Sequence, residues 1–235
     1  MHAGDNNDRL VQNYAIGALN LATLASGYGT FAQGRGGYSW IGGELNYDGA
    51  NPDNTNTALL VNKGYAAFAS YIQTAPTYKC SDDPSVVTIG STTLPRVRSY
   101  SLNDAFSVLS DQNECCPLLS QVGTVNKPGL PVVGPSDQFC FLDEHPDTIF
   151  GGEFCFFSVP TWFALPAHYH DNSSTLSFAD GHVGLHRWMD PAVLRPVTGI
   201  QIGEFGNVEI PDSMSAPDVQ WMLAHTIYPW VRFGL

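Results

Sequence analysis

The hydrophobic positions of this chain follow a helical pattern in its first half and shorter β-like patterns in its second. Four residues with capping side chains, at positions 54–57, precede apolar residues at nearly helical spacing. They predict a helix over residues 58 to about 72, which ends before Pro76. Near the end of the chain, Pro217 in a first-turn position predicts a second helix that runs to about His225.

Between these helices, short segments rich in β-branched and aromatic residues are bounded by turn-forming residues. They predict six strands, at residues 86–89, 96–102, 139–143, 154–158, 175–179 and 182–188. Residues 103–137 form a long connection between two of these strands. The order predicts an α+β fold in a single domain over residues 1–235, with an antiparallel sheet, a C-terminal hairpin, short helices and long irregular loops.

The clearest local pattern is the pair Asp180-Gly181 between two alternating segments. Asp-Gly favours a two-residue type I′ turn, which needs positive φ at both central residues. Such a loop sets two apolar pairs on one face of the hairpin, Phe178 with Val183 and Leu176 with Leu185. The other face is then polar.

Composition narrows the function classes. Ten basic against 22 acidic residues give a formal net charge of −12. An acidic chain repels nucleic-acid phosphates, so no nucleic-acid partner is expected. No apolar run approaches the roughly 18 residues that a membrane span needs, so the chain taken alone is expected to be soluble.

The cysteines allow two interpretations. There are five, at positions 80, 115, 116, 140 and 155. Their spacing shows no CxxC or Cys/His finger pattern, so it gives no support for a structural zinc site. The adjacent pair favours an oxidising compartment with one or two disulfides, which leaves one cysteine over. Cys140 and Cys155 flank an expected hairpin, where they either pair with each other or are two small buried hydrophobic residues.

Several motifs occur together. Nine residues separate His170 from Asp180-Gly181. The other segments are Asp53-Asn54-Thr55-Asn56-Thr57, Tyr78-Lys79-Cys80-Ser81-Asp82, Arg98-Ser99-Tyr100-Ser101, Phe141-Leu142-Asp143-Glu144-His145-Pro146-Asp147 and Pro217-Asp218-Val219-Gln220-Trp221. Jointly they resemble the His-x9-Asp-Gly proteins associated with prepilin processing, a pseudopilin-like family related to type II secretion pseudopilins and type IV pilins.

The resemblance implies a structural protein of the cell envelope, in the periplasm or at the cell surface. Its members carry a leader and a long apolar N-terminal helix that packs against other pseudopilins, and Met1 of this chain resembles the point where that helix ends. We therefore expect the chain to be the head of a longer protein, monomeric or weakly associated by itself. The family often has a cysteine in that helix, which implies a partner for Cys80.

Acidic and histidine side chains cluster in the second half of the chain. Carboxylates and imidazoles bind divalent ions, with Ca²⁺ favoured by oxygen-rich sites and Zn²⁺ by histidine-rich ones. The metal-ligand candidates are Asp143, His145, His170, Asp180 and His182. The alternative is that Asp180 with Gly181 serves the turn, while His170 and Asp143 bond loop backbone.

Two further functions remain open. A hydrolase acting on a polymer, such as a glycoside hydrolase, needs a pair of carboxylates, for which Asp143, Glu144 and Asp180 are the candidates. A polysaccharide-binding module needs exposed aromatic rings, for which the candidates are Tyr38, Trp40, Tyr47, Trp162 and Tyr169. The alternative is that these rings fill the core. The expected partners are accordingly other pseudopilins, a polysaccharide or an exported cargo.

Overall fold

The computed structural model describes residues 39–103, 134–156, 161–203 and 210–226. Tyr38, Cys115, Cys116 and most of the long connection predicted at 103–137 lie outside these ranges. Among the residues described, no helix has both the length and the apolar content to cross a membrane.

The predicted helix over residues 58–72 was wrong in its length. The α-helix α1 spans only Ala58–Val61, and short 3₁₀ helices at Ala67–Ser70 and Ala75–Tyr78 follow it. Asn62 ends α1 because it adopts an extended backbone, and its Oδ1 accepts a hydrogen bond of 2.8 Å from the Gly64 N–H. An asparagine that bonds nearby backbone competes with helix continuation. The second helix, α2 at Pro217–His225, agrees with its prediction.

Nine strands follow α1 in the described residues. In chain order they are β1 (Val86–Ile89), β2 (Thr92–Pro95), β3 (Tyr100–Asn103), β4 (Phe139–Asp143), β5 (Glu153–Phe154), β6 (Thr161–Trp162), β7 (Ser173–Phe178), β8 (Val183–Arg187) and β9 (Ile210–Pro211). The main sheet has the order β5-β3-β4-β7-β8, while β1 pairs with β2 and β6 with β9. All pairs are antiparallel except β3 with β5. The α+β class with short helices and a mostly antiparallel sheet is confirmed.

Two strand predictions need correction. The strand predicted at 96–102 begins only at Tyr100. The residues before it bond to loops instead of a strand: Arg96 donates to the Pro146 carbonyl, Arg98 to the Gly151 carbonyl and Ser99 to Asp83. The strand predicted at 154–158 is reduced to β5, and residues 157–160 are not described.

The β7–β8 hairpin forms, but its register differs by one residue from the prediction. Thr175 pairs with Leu185, and Ser177 pairs with Val183. The loop therefore holds three residues, and of these only Gly181 has positive φ, at +92°. A three-residue loop with a left-handed glycine in its last position replaces the expected type I′ turn. Since a one-residue shift moves every side chain to the other face, Val183 and Leu185 point outward and are exposed.

Core clusters pack on both faces of the main sheet around β4, whereas the outer face of the edge strand β8 is exposed. One core cluster contains Leu142 of β4 and Leu176 of β7, together with Val219 and Met222 of α2. The other contains Trp40, Tyr78 and Leu102, with Phe141 of β4 packed against it. Successive residues of a strand point to opposite faces, so adjacent Phe141 and Leu142 place the two clusters on opposite sides of β4.

Candidate functional site

Three side chains from distant parts of the sequence meet at one end of the main sheet. They belong to Cys80, Asp143 and His170, and their ligand atoms all lie within 4.8 Å of one another. The Cys80 Sγ to His170 Nε2 distance is 3.6 Å, and the same nitrogen lies 3.6 Å from Asp143 Oδ2. A thiol, a carboxylate and an imidazole in one place are the donor groups of a transition-metal site or of thiol chemistry.

Asp143 is placed by the end of β4. Its side chain is fully buried, and its Oδ2 accepts a hydrogen bond of 3.1 Å from the Thr175 N–H of the neighbouring strand β7. Its other oxygen, Oδ1, is buried with no hydrogen-bond partner among the described residues. Burial raises the pKa of this carboxyl, against the opposing effects of the Thr175 N–H, of His170 and of the Thr175 hydroxyl.

His170 is placed by a tight reversal just before β7. Asp171 and Asn172 have φ values of +53° and +60°, and the His170 N–H donates to the Ser173 carbonyl at 3.2 Å. Asp and Asn tolerate the left-handed region better than other side-chain-bearing residues, which explains their use here. The reversal aims His170 back at Asp143, and its Nδ1 lies 3.2 Å from Asp82 Oδ2.

Cys80 is placed by a polar turn that follows the 3₁₀ helix at Ala75–Tyr78. Asp83 holds this turn, because it accepts hydrogen bonds from Lys79 Nζ at 2.6 Å, from Ser99 Oγ at 2.6 Å and from the Ser85 N–H at 2.7 Å. Burial raises the pKa of the Cys80 thiol, and the negative charge of Asp143 adds to that rise.

The other histidine of the predicted metal set, His145, is not part of this group. It is fully buried, its Nδ1 accepts the Asp147 N–H at 3.1 Å, and its Nε2 lies 3.0 Å from the Arg195 carbonyl. Both ring nitrogens are therefore engaged by backbone, which fixes the tautomer with hydrogen on Nε2. Burial lowers the pKa of His145, so the neutral ring is favoured.

Asp180 and His182 of the predicted metal set also lie outside the group, at the tip of the hairpin. Both are exposed, and Asp180 Oδ1 lies 2.6 Å from His182 Nδ1 and accepts the His182 N–H at 3.1 Å. These hydrogen bonds lower the pKa of Asp180. The Asp180-Gly181 part of the motif thus shapes a loop, as the alternative interpretation held, while His170 joins the buried group.

The three carboxylates proposed for a hydrolase do not form a pair. Asp143 faces His170, whereas Glu144 accepts a hydrogen bond of 3.2 Å from Thr148 Oγ1 and lies near the Arg98 charge. Adjacent residues of an extended chain point to opposite sides, so Asp143 and Glu144 cannot share a substrate. Asp180 is engaged at the hairpin tip.

Of the aromatic residues considered for polysaccharide binding, the four that the structure describes do not share a face. Trp40 and Trp162 are 2% and 1% exposed, in different core clusters. Tyr47 is half-buried, donates to Asp147 Oδ1 at 2.7 Å and lies under the Arg96 guanidinium. Tyr169 is half-buried and stands edge-on to His170. These rings pack internally, as the alternative interpretation expected.

Sequence reasoning found two members of the group and missed the role of the third. Cys80 was considered only as a disulfide partner, although it lies in a motif with Asp82. The signal available was that this motif and His170 belong to one set of co-occurring segments. Cys80 and Cys140 are free thiols, so Cys140 does not pair with Cys155.

Compared with known proteins, the chain matches no protein-family model, no curated protein and no solved structure.

Proposed function

We propose that this chain is the structural head of a pseudopilin-like protein, which takes part in an envelope assembly that moves or binds exported macromolecules. The proposal rests on the motifs named above, and one observation supports it most. Motif segments that are far apart in the sequence are held by hydrogen bonds through buried residues in them or next to them.

Ser99 links three of these segments. Its N–H donates to the Tyr78 carbonyl at 3.0 Å, and its Oγ donates to Asp83 at 2.6 Å, which ties it to the turn that carries Cys80. Its own carbonyl accepts the Glu144 N–H at 2.9 Å. Because Ser99 is 1% exposed, each of these bonds satisfies a group that water cannot reach.

The first and last motif segments are also held by buried hydrogen bonds, which here reach residues outside the motifs. The carbonyl of fully buried Asn54 accepts the Val97 N–H at 3.0 Å. In the last segment, Asp218 Oδ2 accepts the N–H groups of Met189 and Asp190 at 2.8 Å each. Asp190 Oδ2 in turn accepts the Asp218 N–H at 2.8 Å, so the start of α2 and the end of the hairpin are fixed to each other.

Buried polar residues whose hydrogen bonds are all satisfied by one another make the interior rigid, which is the property of a scaffold. In an enzyme, by contrast, groups are held unsatisfied or perturbed in a cleft that a substrate enters. Ser99, Asn54 and Asp218 meet the first description, which supports a structural head. Asp143 and Glu144, by comparison, keep buried oxygens without a hydrogen-bond partner in the described part of the chain. Partners would be other pseudopilins, reached through the N-terminal helix that the resemblance implies.

The test follows the native protein in the organism that encodes it, with antibodies raised against this chain. We expect the antigen in the envelope fraction and in sheared surface material. Deletion of the prepilin peptidase gene should convert it to a longer, unprocessed form, and restoring the gene should reverse that change.

A native antigen found in the cytosol, with the same size in the presence and absence of the peptidase, would contradict the proposal. A purified chain that forms long filaments by itself would contradict the assignment of assembly to the N-terminal helix.

A further inference from the structure

In the group formed by Cys80, Asp143 and His170, the two distances from His170 Nε2 are close to those of a zinc site, and all three ligand atoms lie within 4.8 Å of one another. In tetrahedral zinc sites the Zn–S bond is about 2.3 Å and the Zn–N bond about 2.0–2.1 Å, so a bound sulfur and a bound nitrogen lie about 3.6 Å apart. The Cys80 Sγ to His170 Nε2 distance is 3.6 Å. The distance from His170 Nε2 to Asp143 Oδ2 is also 3.6 Å. A nitrogen and an oxygen bound to the same tetrahedral zinc ion lie roughly 3.4 Å apart, so this distance is slightly longer.

The second ring nitrogen of His170 provides an independent argument. A histidine that binds a metal through one nitrogen usually donates its other N–H to a carboxylate, which fixes the tautomer and the ring orientation. His170 Nδ1 lies 3.2 Å from Asp82 Oδ2, while Nε2 faces Cys80 and Asp143. Hydrogen on Nδ1 leaves the lone pair of Nε2 directed at the group.

Asp143 gives a third argument. Its side chain is 0% exposed, and Oδ1 has no hydrogen-bond partner in the described part of the chain. A buried carboxylate oxygen without a partner is costly, and a cation beside it removes that cost. The site is not sealed, because the His170 side chain is 27% exposed and gives an ion a path from solvent.

We propose that Cys80, Asp143 and His170 hold a zinc ion, with Asp82 as the carboxylate that orients His170. The mixture of one sulfur, one nitrogen and one oxygen donor favours zinc over calcium, which binds oxygen ligands almost alone. Three protein ligands leave a fourth position for a water molecule. The ion would join the turn at Cys80, the end of β4 and the reversal before β7.

A nucleophilic cysteine is the competing interpretation of the same group. A reactive thiolate needs a cationic surrounding that lowers its pKa. Here the buried Asp143 carboxylate belongs to the same group as Cys80 Sγ, so the nearest charge on the described residues of the group is negative rather than cationic. A bound zinc ion reverses this by neutralising both the thiolate and the carboxylate.

The test is a titration of the purified, chelator-treated chain with Co²⁺, which replaces zinc and reports its ligands in its absorption spectrum. We expect one ion per chain, tetrahedral d–d bands and a thiolate-to-cobalt charge-transfer band that excess zinc removes. Cys80→Ser should abolish the charge-transfer band. Cys140→Ser is the matched control and should keep it, because Cys140 is a half-buried free thiol outside the group.

Asp82→Asn keeps all three ligands and covers the case in which Cys80→Ser fails to fold. Removing a carboxylate that orients a ligand lowers metal affinity by about 10- to 100-fold. We expect Asp82→Asn to bind Co²⁺ that much more weakly, with its absorption bands at the same wavelengths as in the wild-type chain. Absence of binding by the folded wild-type chain, a charge-transfer band that survives Cys80→Ser, or equal affinity of Asp82→Asn and wild type would overturn the proposal. None of these outcomes decides whether the native protein is processed as a pseudopilin.

Discussion

Arg98 shows how single residues fix the loops of this protein. Its guanidinium is 1% exposed and donates to the carbonyls of Tyr100 at 2.9 Å and Gly151 at 2.5 Å, and to Ser101 Oγ at 3.2 Å. Burial lowers its pKa to about 10, against the attraction of Glu144 and Glu153. The Arg98 cation thus donates hydrogen bonds to several backbone carbonyls and also balances the charge of the nearby carboxylates.

Replacing Arg98 by Met should destabilise the chain strongly. Removal of one member of a buried charge group leaves the other charges uncompensated, which costs about 3–5 kcal/mol. The free energy of unfolding in urea measures the effect. The matched control is Arg187→Met on the exposed side of β8, which should stay within about 0.5 kcal/mol of wild type. Equal effects of the two substitutions would refute the role given to Arg98.

The buried carboxyl of Glu144 should make the free energy of unfolding depend on pH. Burial raises its pKa to about 7, although Ser101, Arg98 and Thr148 oppose the rise. A carboxyl whose folded pKa lies above its unfolded pKa contributes stability below pH about 4.5, and this stability is lost as the pH rises through about 7. Glu144→Gln removes that loss, which amounts to at most about 3 kcal/mol.

Unfolding free energies at pH 5 and pH 8 test this expectation. The value for wild type should fall between the two pH values by more than the value for Glu144→Gln. Asp137→Asn, which removes an exposed carboxylate, should follow the wild-type slope. Parallel slopes for wild type and Glu144→Gln would show that the buried carboxyl does not titrate in this window.

At the scale of elements, the hairpin between β7 and β8 depends on one backbone conformation. Gly181 has φ of +92°, and the Phe178 N–H donates to the His182 carbonyl at 2.9 Å around it. The Asp-Gly pair predicted a reversal at the right place, because glycine is the residue that enters this region without cost. It did not fix the register, since two- and three-residue loops both accept a glycine at this position.

Gly181→Ala should cost about 1 kcal/mol, because alanine is strained at positive φ. Nothing lies near an added Cβ, so the effect is one of backbone conformation alone. Gly184→Ala is the control in the adjacent strand, where an added Cβ meets the Phe178 ring at an ordinary 3.6 Å. Thermal unfolding of both variants measures the difference, and a larger loss in Gly184→Ala would argue against the three-residue loop.

At the scale of the whole molecule, the proposed zinc ion would couple three segments that are far apart in the sequence. Cys80 lies in the turn after Tyr78, Asp143 ends β4, and His170 precedes β7. A ligand that binds only the folded state stabilises it by about 2.7 kcal/mol at a concentration 100-fold above its Kd. For a domain of this size, that energy corresponds to a rise in Tm of roughly 5–10 °C.

Thermal unfolding with saturating zinc and with chelator should therefore differ by this amount in the wild-type chain. The same measurement on Cys80→Ser should show little difference between the two conditions. A Tm that zinc leaves unchanged in the wild-type chain would separate metal binding from stability and contradict the coupling.

Local sequence was enough to predict elements whose signals are local. Strands at 86–89 and 139–143, the reversal at Asp180-Gly181 and α2 with its first-turn proline follow from neighbouring residues. Asn62 and Gly64 are a similar local signal for the end of α1, but the predicted helix rested only on the helical spacing of the apolar residues. Acidity and low charge content were likewise properties of the sequence alone.

Only the tertiary structure decided which residues of the candidate site meet. His170 joins Cys80 across 90 positions and Asp143 across 27, while Asp180, named with it in one motif, lies with His182 at an exposed loop. Sequence order carries no information about such distances, because they depend on which strands pair and on which face each side chain takes. The amino-acid sequence by itself determined the donor types and the turns that carry them. Only the tertiary structure decided that the donors converge, because the pairing of β4 with β7 brings His170 to Asp143 and the bonds of Ser99 bring the Cys80 turn to the same place.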